Sequence, residues 1–253
     1  MFALERQKKI LELLEAQGAV TVSNLSAVLS VTEETVRRDL EKLEKQEALR
    51  RTHGGAVPID ESTYEFSLEK RKGKNTDEKQ QVAEIALSHI VSGDTIFLDA
   101  STTTFFIAKG LKKMNNVTVI TNSIRVVAEL ANVPEIKTIA VGGIVSDNQS
   151  FVGSLAENSI SENYVANKMF FSSKGITADA GILESNEKEC GIKQKMLENS
   201  GKKFYLCDSS KIGRIGFVKL ASFDDIDYFI CNKEVPEKLS DKLADNNVKI
   251  EIG

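Results

Sequence analysis

The stretch Val31-Thr32-Glu33-Glu34-Thr35-Val36-Arg37-Arg38-Asp39-Leu40 reads as the opening of a helix with two unlike faces. Thr32 is a capping residue, and Glu33 and Glu34 fall in the first turn, where the helix dipole favours acids. Val36, Leu40 and Leu43 recur at i, i+4 and i+7 and form a stripe to be buried. Glu34, Arg38, Glu41 and Lys45 lie roughly opposite, with Thr35 and Arg37 on the flanks. A helix presenting Thr and Arg near its N-terminal end suits a DNA major groove. There arginine meets guanine edges or phosphates, and threonine meets a thymine methyl or a phosphate.

Upstream, Leu4 to Gln17 carries apolar residues at Leu4, Ile10, Leu11, Leu13 and Leu14 with charges between them, an amphipathic helix stopped by Gly18. Ala19-Val20 has room only for a short strand. Thr21 caps a second helix through Val22, Leu25, Val28 and Leu29, and Ser30-Val31-Thr32 is the tight connection to the third. Downstream, Leu49-Arg50-Arg51-Thr52-His53-Gly54-Gly55-Ala56-Val57 reads as a hairpin wing that brings Arg50, Arg51 and His53 toward the phosphate backbone or minor groove. Residues 1–57 are therefore a winged helix-turn-helix. The expected DNA-contacting set is Thr21, Thr32, Glu34, Thr35, Arg37, Arg38, Arg50, Arg51 and His53.

The whole chain carries 33 Lys and Arg against 37 Asp and Glu, a net charge of −4. Residues 1–57 hold nine of each sign, so this segment is neutral and the remainder, 24 against 28, carries the whole excess. DNA affinity must then come from where the basic side chains point, because total charge says little about a specific site. Hydrophobic residues at 41% and charged residues at 28% are the balance of a globular protein. No apolar run reaches membrane-span length, and the N-terminus lacks a signal-peptide core, so a cytoplasmic protein with no membrane partner is expected. Three scattered cysteines and two histidines exclude a disulfide framework and a His-rich metal site. No metal or cofactor is expected.

Residues 58–75 lack an apolar period and read as a linker, with Glu69-Lys70-Arg71-Lys72 as a solvated surface. From residue 76 to 253 helices alternate with short apolar runs. Helices are expected at Gln80–Val91, Thr104–Met114 and Ile124–Ala131, with another from Glu187 through Met196. Strands are expected at Thr95–Leu98, Val117–Ile120, Ile136–Val141, Lys168–Ser172, Phe204–Cys207, Tyr228–Cys231 and Val248–Ile252. That alternation means an α/β domain with a mainly parallel sheet. Ligands of such sheets bind beyond the carboxyl ends of the strands. Five of these strands run into polar or glycine clusters: Asp99-Ala100-Ser101-Thr102-Thr103, Thr121-Asn122-Ser123, Gly142-Gly143, Ser173-Lys174-Gly175 and Asp208-Ser209-Ser210-Lys211. Hydroxyl residues at helix N-termini supply donors for a phosphate, and they are also ordinary caps. Lys174, Lys211 and Arg214 add positive charge. The expected effector-binding set is Asp99, Ser101, Thr102, Thr103, Thr121, Asn122, Ser123, Gly142, Gly143, Lys174, Asp208 and Lys211.

The third-helix stretch, together with Arg51-Thr52-His53-Gly54-Gly55-Ala56, closely resembles the DeoR family of bacterial transcription regulators. The Asp-x-x-Thr-Thr loop at 99–103, Thr121-Asn122-Ser123, Gly142-Gly143, Phe151-Val152-Gly153 and Asp208-Ser209-Ser210-Lys211-Ile212-Gly213 extend the resemblance over nearly the whole chain. It departs at Ser30 and Glu47, where relatives commonly carry glycine, and at Ala100-Ser101, where many have Ser-Gly. The resemblance implies a sensor domain similar in fold to ribose-5-phosphate isomerase. It also implies a phosphorylated sugar as effector, double-stranded operator DNA as partner and a homo-oligomer, dimer or tetramer. The competing reading is a sugar-phosphate isomerase-like enzyme with an attached DNA-binding domain. Asp99, Asp179, Glu184, Glu187, Glu189 and Asp208 are candidate bases by type. No acid–base pair with a supporting histidine stands out, and His89 is expected on an exposed helix face. A repressor without catalysis is the reading the sequence favours.

Overall fold

Thr21 and Thr32 set the first unit's helices. The Thr21 side chain accepts from the Asn24 amide and starts α2 (Val22–Leu29); Thr32 accepts from the Thr35 amide and starts α3 (Glu33–Lys45). Before them come α1 (Ala3–Gln17) and β1 (Val20–Thr21), and after them β2 (Arg50–Thr52) and β3 (Gly55–Val57). The strands form an antiparallel sheet in the order β1-β3-β2. Ile10, Leu14, Leu25, Leu29, Val36, Leu40, Leu43 and Leu49 fill the core, as the helical period requires. Leu4 is exposed instead of joining the stripe. Gly55 is fixed by contact: a Cβ there would lie 1.8 Å from the Val20 carbonyl oxygen, so β3 could not pair with β1. The computed structural model describes residues 1–60 and 64–253, which divide into compact units Met1–Phe66 and Ser67–Gly253.

The second unit opens with α4 (Leu68–Gly73) and α5 (Thr76–Ser88). Its seven-stranded sheet runs β15-β14-β12-β9-β4-β5-β6, every pair parallel. The strands are β4 (Thr95–Leu98), β5 (Val117–Thr121), β6 (Ile136–Ala140), β9 (Ala166–Phe171), β12 (Ser200–Cys207), β14 (Tyr228–Cys231) and β15 (Lys249–Ile252). Alternate residues face opposite sides. Ile96, Leu98, Phe170, Phe204 and Leu206 meet α5, α6 (Thr104–Leu111) and α7 (Ile124–Leu130) on one face. Phe97, Met169, Phe171, Tyr205 and Phe229 meet α8 (Ser154–Asn163), α9 (Glu187–Glu198) and α10 (Glu237–Asp245) on the other. A hairpin of β7 (Ile144–Val145) and β8 (Phe151–Val152) and a small antiparallel sheet of β10 (Gly175–Thr177), β11 (Gly181–Glu184) and β13 (Val218–Ala221) complete it.

The expected mainly parallel α/β architecture is present. Several further details differ. The stretch 58–75, read as a linker, holds α4 capped by Ser67; its residues 61–63 lie outside the described residues. The helix expected from Gln80 to Val91 starts four residues earlier, because Asp77 and Glu78 suit its first turn, and stops at the His89 cap. His89 is half-buried between the Phe204 and Tyr228 rings, with Nε2 2.7 Å from Glu251 Oε2, not on an exposed face.

Candidate functional site

The third helix and the wing present an exposed polar surface. Arg37 pairs with Glu33 at 2.6 Å and Arg38 with Glu34 at 3.1 Å, each one turn away, and all four side chains are about half exposed or more. Exposed pairs of this kind contribute roughly 0.3–0.5 kcal/mol, so either guanidinium can exchange its carboxylate for a DNA phosphate. Glu34 acts on the helix as the holder of Arg38. The Thr32 and Thr35 hydroxyls lie 2.9 Å apart at the helix start, while Thr21 and Thr32 serve as caps. Arg50, Arg51 and His53 are exposed along the wing. The Arg51 amide donates to Glu44 Oε1 at 2.9 Å, which ties the wing to α3. Asp39, inside the Arg-Arg-Asp motif, is buried; it accepts from Arg6 Nε and, at 3.1 Å, from Gln7 Nε2. Its part is to lock α3 against α1.

In the second unit the chain leaves β4 toward β5 and β6 on one side, then returns to place β9, β12 and β14 on the other. The order therefore reverses between β4 and β9, the place where open α/β sheets bind ligands. The loops there are Asp99–Thr103 and Ser172–Lys174. Asp99 is wholly buried and fully satisfied: Oδ1 accepts from the Ser101 amide and the Thr104 hydroxyl, and Oδ2 from the Ser172 amide. The Lys193 ammonium, from α9, lies 3.2 Å from Asp99 Oδ2 and 2.6 Å from Glu184 Oε2, and donates to the Ser172 carbonyl. Burial works against its charge, but Glu184, Asp99 and Glu189 outweigh burial and hold it above the usual lysine range.

From the neighbouring strand end, Lys211 Nζ donates to Ser172 Oγ and stands 3.5 Å from Thr103 Oγ1 and 3.8 Å from Asp208 Oδ2. Asp208 is buried, which favours its neutral form, yet Lys211 and hydrogen bonds from Ser210 and Asn75 hold its carboxyl below the ordinary value. Thr103, Asp99, Ser172, Asp208 and Lys211 thus converge on one place at the start of α6. Ser101 Oγ accepts from the Thr104 amide just ahead of that helix. Thr102 is buried beside it, and Lys174 is buried at the end of β9.

Thr121 and Ser123 turn inward: Thr121 Oγ1 accepts from the Ser123 amide and Ser123 caps α7. Asn122 Nδ2 donates to the Phe151 carbonyl, and its buried Oδ1 has no hydrogen-bond partner among the described residues. Gly143 has φ 143°, and a Cβ there would lie 2.9 Å from the Val152 carbonyl oxygen, so it serves the close approach of β8. Gly142 faces open space.

Several polar residues at this end carry no motif. Lys79, from α5, is buried and donates to the carbonyls of Arg71 and Lys74. Burial first, then the Lys211 charge, bring it down to about 8. Asn75 donates to Asp208 and Ser210. Glu189 is buried and accepts from Ser146, Asn148 and Ser150. Arg71, inside the run expected to be solvated, is half-buried and donates to Asn148 Oδ1 at 2.5 Å. Alternation of polar and apolar residues flags none of these, because their partners are backbone carbonyls or side chains of other segments.

The first unit matches the DeoR-like helix-turn-helix domain over residues 6–62, and the second matches the DeoR C terminal sensor domain over residues 74–233. An uncharacterized HTH-type transcriptional regulator of Bacillus subtilis, YulB, is 42% identical over 99% of this chain and 96% of its own. The putative aga operon transcriptional repressor of Escherichia coli O157:H7 is 33% identical, covering 97% and 92% of the two chains. The L-fucose operon activator of Haemophilus influenzae is 34% identical, covering 92% and 94%. Among solved structures, a ribose 5-phosphate isomerase A from Methanocaldococcus jannaschii aligns over 55% of each chain at 16% identity with a TM-score of 0.42.

Proposed function

This chain belongs to the DeoR family of helix-turn-helix transcriptional regulators, and from that premise we propose that it represses a sugar catabolic operon and answers to a phosphorylated sugar bound at the strand ends of its second unit. The observation that carries the reading is the cluster at the strand-order reversal, where Lys211, Thr103 and Ser172 meet at the N-terminal end of α6. An ammonium, hydroxyls and a helix N-terminus together suit a phosphate, and flanking carboxylates suit sugar hydroxyls. Relatives named for aga and L-fucose operons support a sugar as the metabolite.

The carboxylates of this cluster argue against a retained isomerase. Asp99 and Glu184 share Lys193, and Asp208 is held ionised by Lys211. Asp208 is thereby moved away from the neutral-pH range that a general base for carbon acids uses.

In the proposed mechanism, two copies in a symmetric oligomer place two α3 helices on half-sites about one helical turn of DNA apart. The effector binds unequally to the arrangement that fits that spacing and to the one that does not, and so shifts occupancy. Two measurements test this on the full chain. A thermal-shift screen of sugar phosphates is expected to give a raised melting temperature with one compound class and no turnover of it. Replacing Arg37 and Arg38 together with Ala is expected to weaken binding to an operator selected from genomic fragments by at least about tenfold, at roughly one to three kcal/mol per base contact, with effector binding intact. Unchanged operator affinity would remove α3 from the DNA interface, and a flat screen would remove the sensor site.

A further inference from the structure

Asn75 joins α4 to α5 with φ 52° and ψ 45°, a left-handed conformation that side-chain-bearing residues rarely adopt. An asparagine at a helix start ordinarily accepts from an amide of the first turn, but the Asn75 side chain makes no such cap. Its Nδ2 instead donates to Ser210 Oγ at 2.7 Å and to Asp208 Oδ1 at 3.2 Å. Ser210 Oγ donates to the same Asp208 oxygen, so the three groups close a triangle.

The two oxygens of Asp208 face different partners. Oδ1 takes the Asn75 and Ser210 hydrogens. Oδ2 lies 3.8 Å from Lys211 Nζ, which donates to Ser172 Oγ and stands 3.5 Å from Thr103 Oγ1. Burial favours the neutral form of Asp208, and Lys211 first, then Ser210, Lys79 and Asn75, keep it ionised. An anion at Lys211 competes with Oδ2 for the ammonium. A buried carboxylate that loses part of its counter-charge draws harder on the donors left to it, because an unmet buried charge is costly and hydrogen bonds to a charge are the strong ones.

Asn75 hands that pull to the backbone. The carbonyls of Lys74, beside it, and of Arg71, a turn earlier, accept from the buried Lys79 ammonium at 2.5 and 2.7 Å, and the Lys79 amide donates to the Asn75 carbonyl at 3.1 Å. Lys79 thereby meets carbonyls at the end of α4, which a helix terminus leaves without partners of its own. The first unit ends at Phe66 and α4 begins at Leu68, so the segment held in this way is the one that follows the DNA-binding unit in the chain. Of Asn, Asp and His, the side chains that best tolerate left-handed backbone, only Asn carries two hydrogens on one atom. Glycine supplies the turn without the donor, and aspartate sets a second carboxylate against Asp208.

We infer that Asn75 is a positioning residue that reads the occupancy of the strand-end site through Asp208 and passes it to the junction of α4 and α5. This rests on the effector reading above and deepens it by naming the route by which that site is read.

The test uses the full chain with inorganic phosphate and a set of hexose phosphates as probes, in wild type, Asn75→Gly and Asn75→Asp. Gly keeps the left-handed turn and Asp keeps the shape of the side chain, so a role confined to the backbone survives both changes. Circular dichroism checks that each variant is folded. Affinity is read by titration, and order over residues 68–79 by amide hydrogen exchange. Exchange over that segment is expected to slow in wild type when a probe binds, by at least about fivefold, the low end of typical coupling between sites. Both variants are expected to lose this slowing while binding the probe at most roughly tenfold more weakly, the worth of one ordinary hydrogen bond. Slowing in either variant equal to that in wild type overturns the relay and leaves the effector reading in place. Exchange in wild type that stays the same or quickens on binding overturns the relay as well, since Asp208 then does not draw on Asn75. Loss of affinity beyond that factor in Asn75→Gly puts Asn75 in the binding site itself and overturns its part as a relay. Failure of wild type to bind any probe overturns both readings.

Discussion

Ser30 closes α2 with φ 53° and Glu47 comes just after α3 with φ 52°, both in the left-handed region. A side chain in this left-handed region costs roughly 1–2 kcal/mol, partly offset because glycine loses more freedom on folding. Ser30→Gly is therefore expected to stabilise the first unit by about 0.5–1 kcal/mol in urea unfolding; a lower midpoint would mean that the serine side chain contributes more than the strain removes. Lys79 gives a pH prediction. Its ammonium is brought from 10.5 down to about 8 by burial and by Lys211 and Arg71, with Asp208 and Glu78 opposing. Between those two values the unfolded chain keeps a proton that the folded chain has released, so this group's contribution to stability rises with pH from about 8 to 10.5. Comparing stability against pH in wild type and Lys79→Met is expected to show a steeper rise in wild type over that window. Parallel curves would mean that Lys79 is not perturbed.

At the scale of elements, α9 crosses one face of the sheet and delivers Lys193 to carboxylates from two other elements, Asp99 and Glu184. Removing one member of a buried ion network leaves the others uncompensated, at about 3–5 kcal/mol. Lys193→Met is expected to lower the second unit's stability by about that amount in denaturant titration; a loss under about 1 kcal/mol would mean that water already reaches the network. This site also marks the limit of what the sequence discloses. The seven strands of the parallel sheet, and the polar or glycine ends of five of them, are legible because burial makes stretches such as Ile96-Phe97-Leu98 or Met169-Phe170-Phe171 continuous apolar runs. The helix α8 is not, since only Ala156 and Ile160 are buried along it, and the short strands β10, β11 and β13 carry no period to read. Asp99 and Lys211 announce themselves by position after a strand. Lys193, Lys79 and Arg71 lie in helices, where one charged residue looks like any other until the fold supplies its partners.

Across the whole molecule the excess of acid lies outside residues 1–57, which are neutral. Under the proposed function attraction to DNA is therefore local, and we assign it to Arg37, Arg38, Arg50, Arg51 and His53, which are all exposed. Replacing any one of these that meets a phosphate is expected to flatten the salt dependence by about one unit of slope. Control by a metabolite adds a stricter demand. If the effector weakens operator binding by some factor, saturating operator DNA must weaken effector binding by the same factor, because both describe one coupling free energy. Effector titrations of the full chain with and without saturating operator are expected to give affinities that differ by that factor, and Arg37→Ala/Arg38→Ala is expected to abolish the difference at DNA concentrations where the variant no longer binds. Were effector affinity the same with and without DNA, the two units would be uncoupled, and the strand-end site would serve something other than the control of α3.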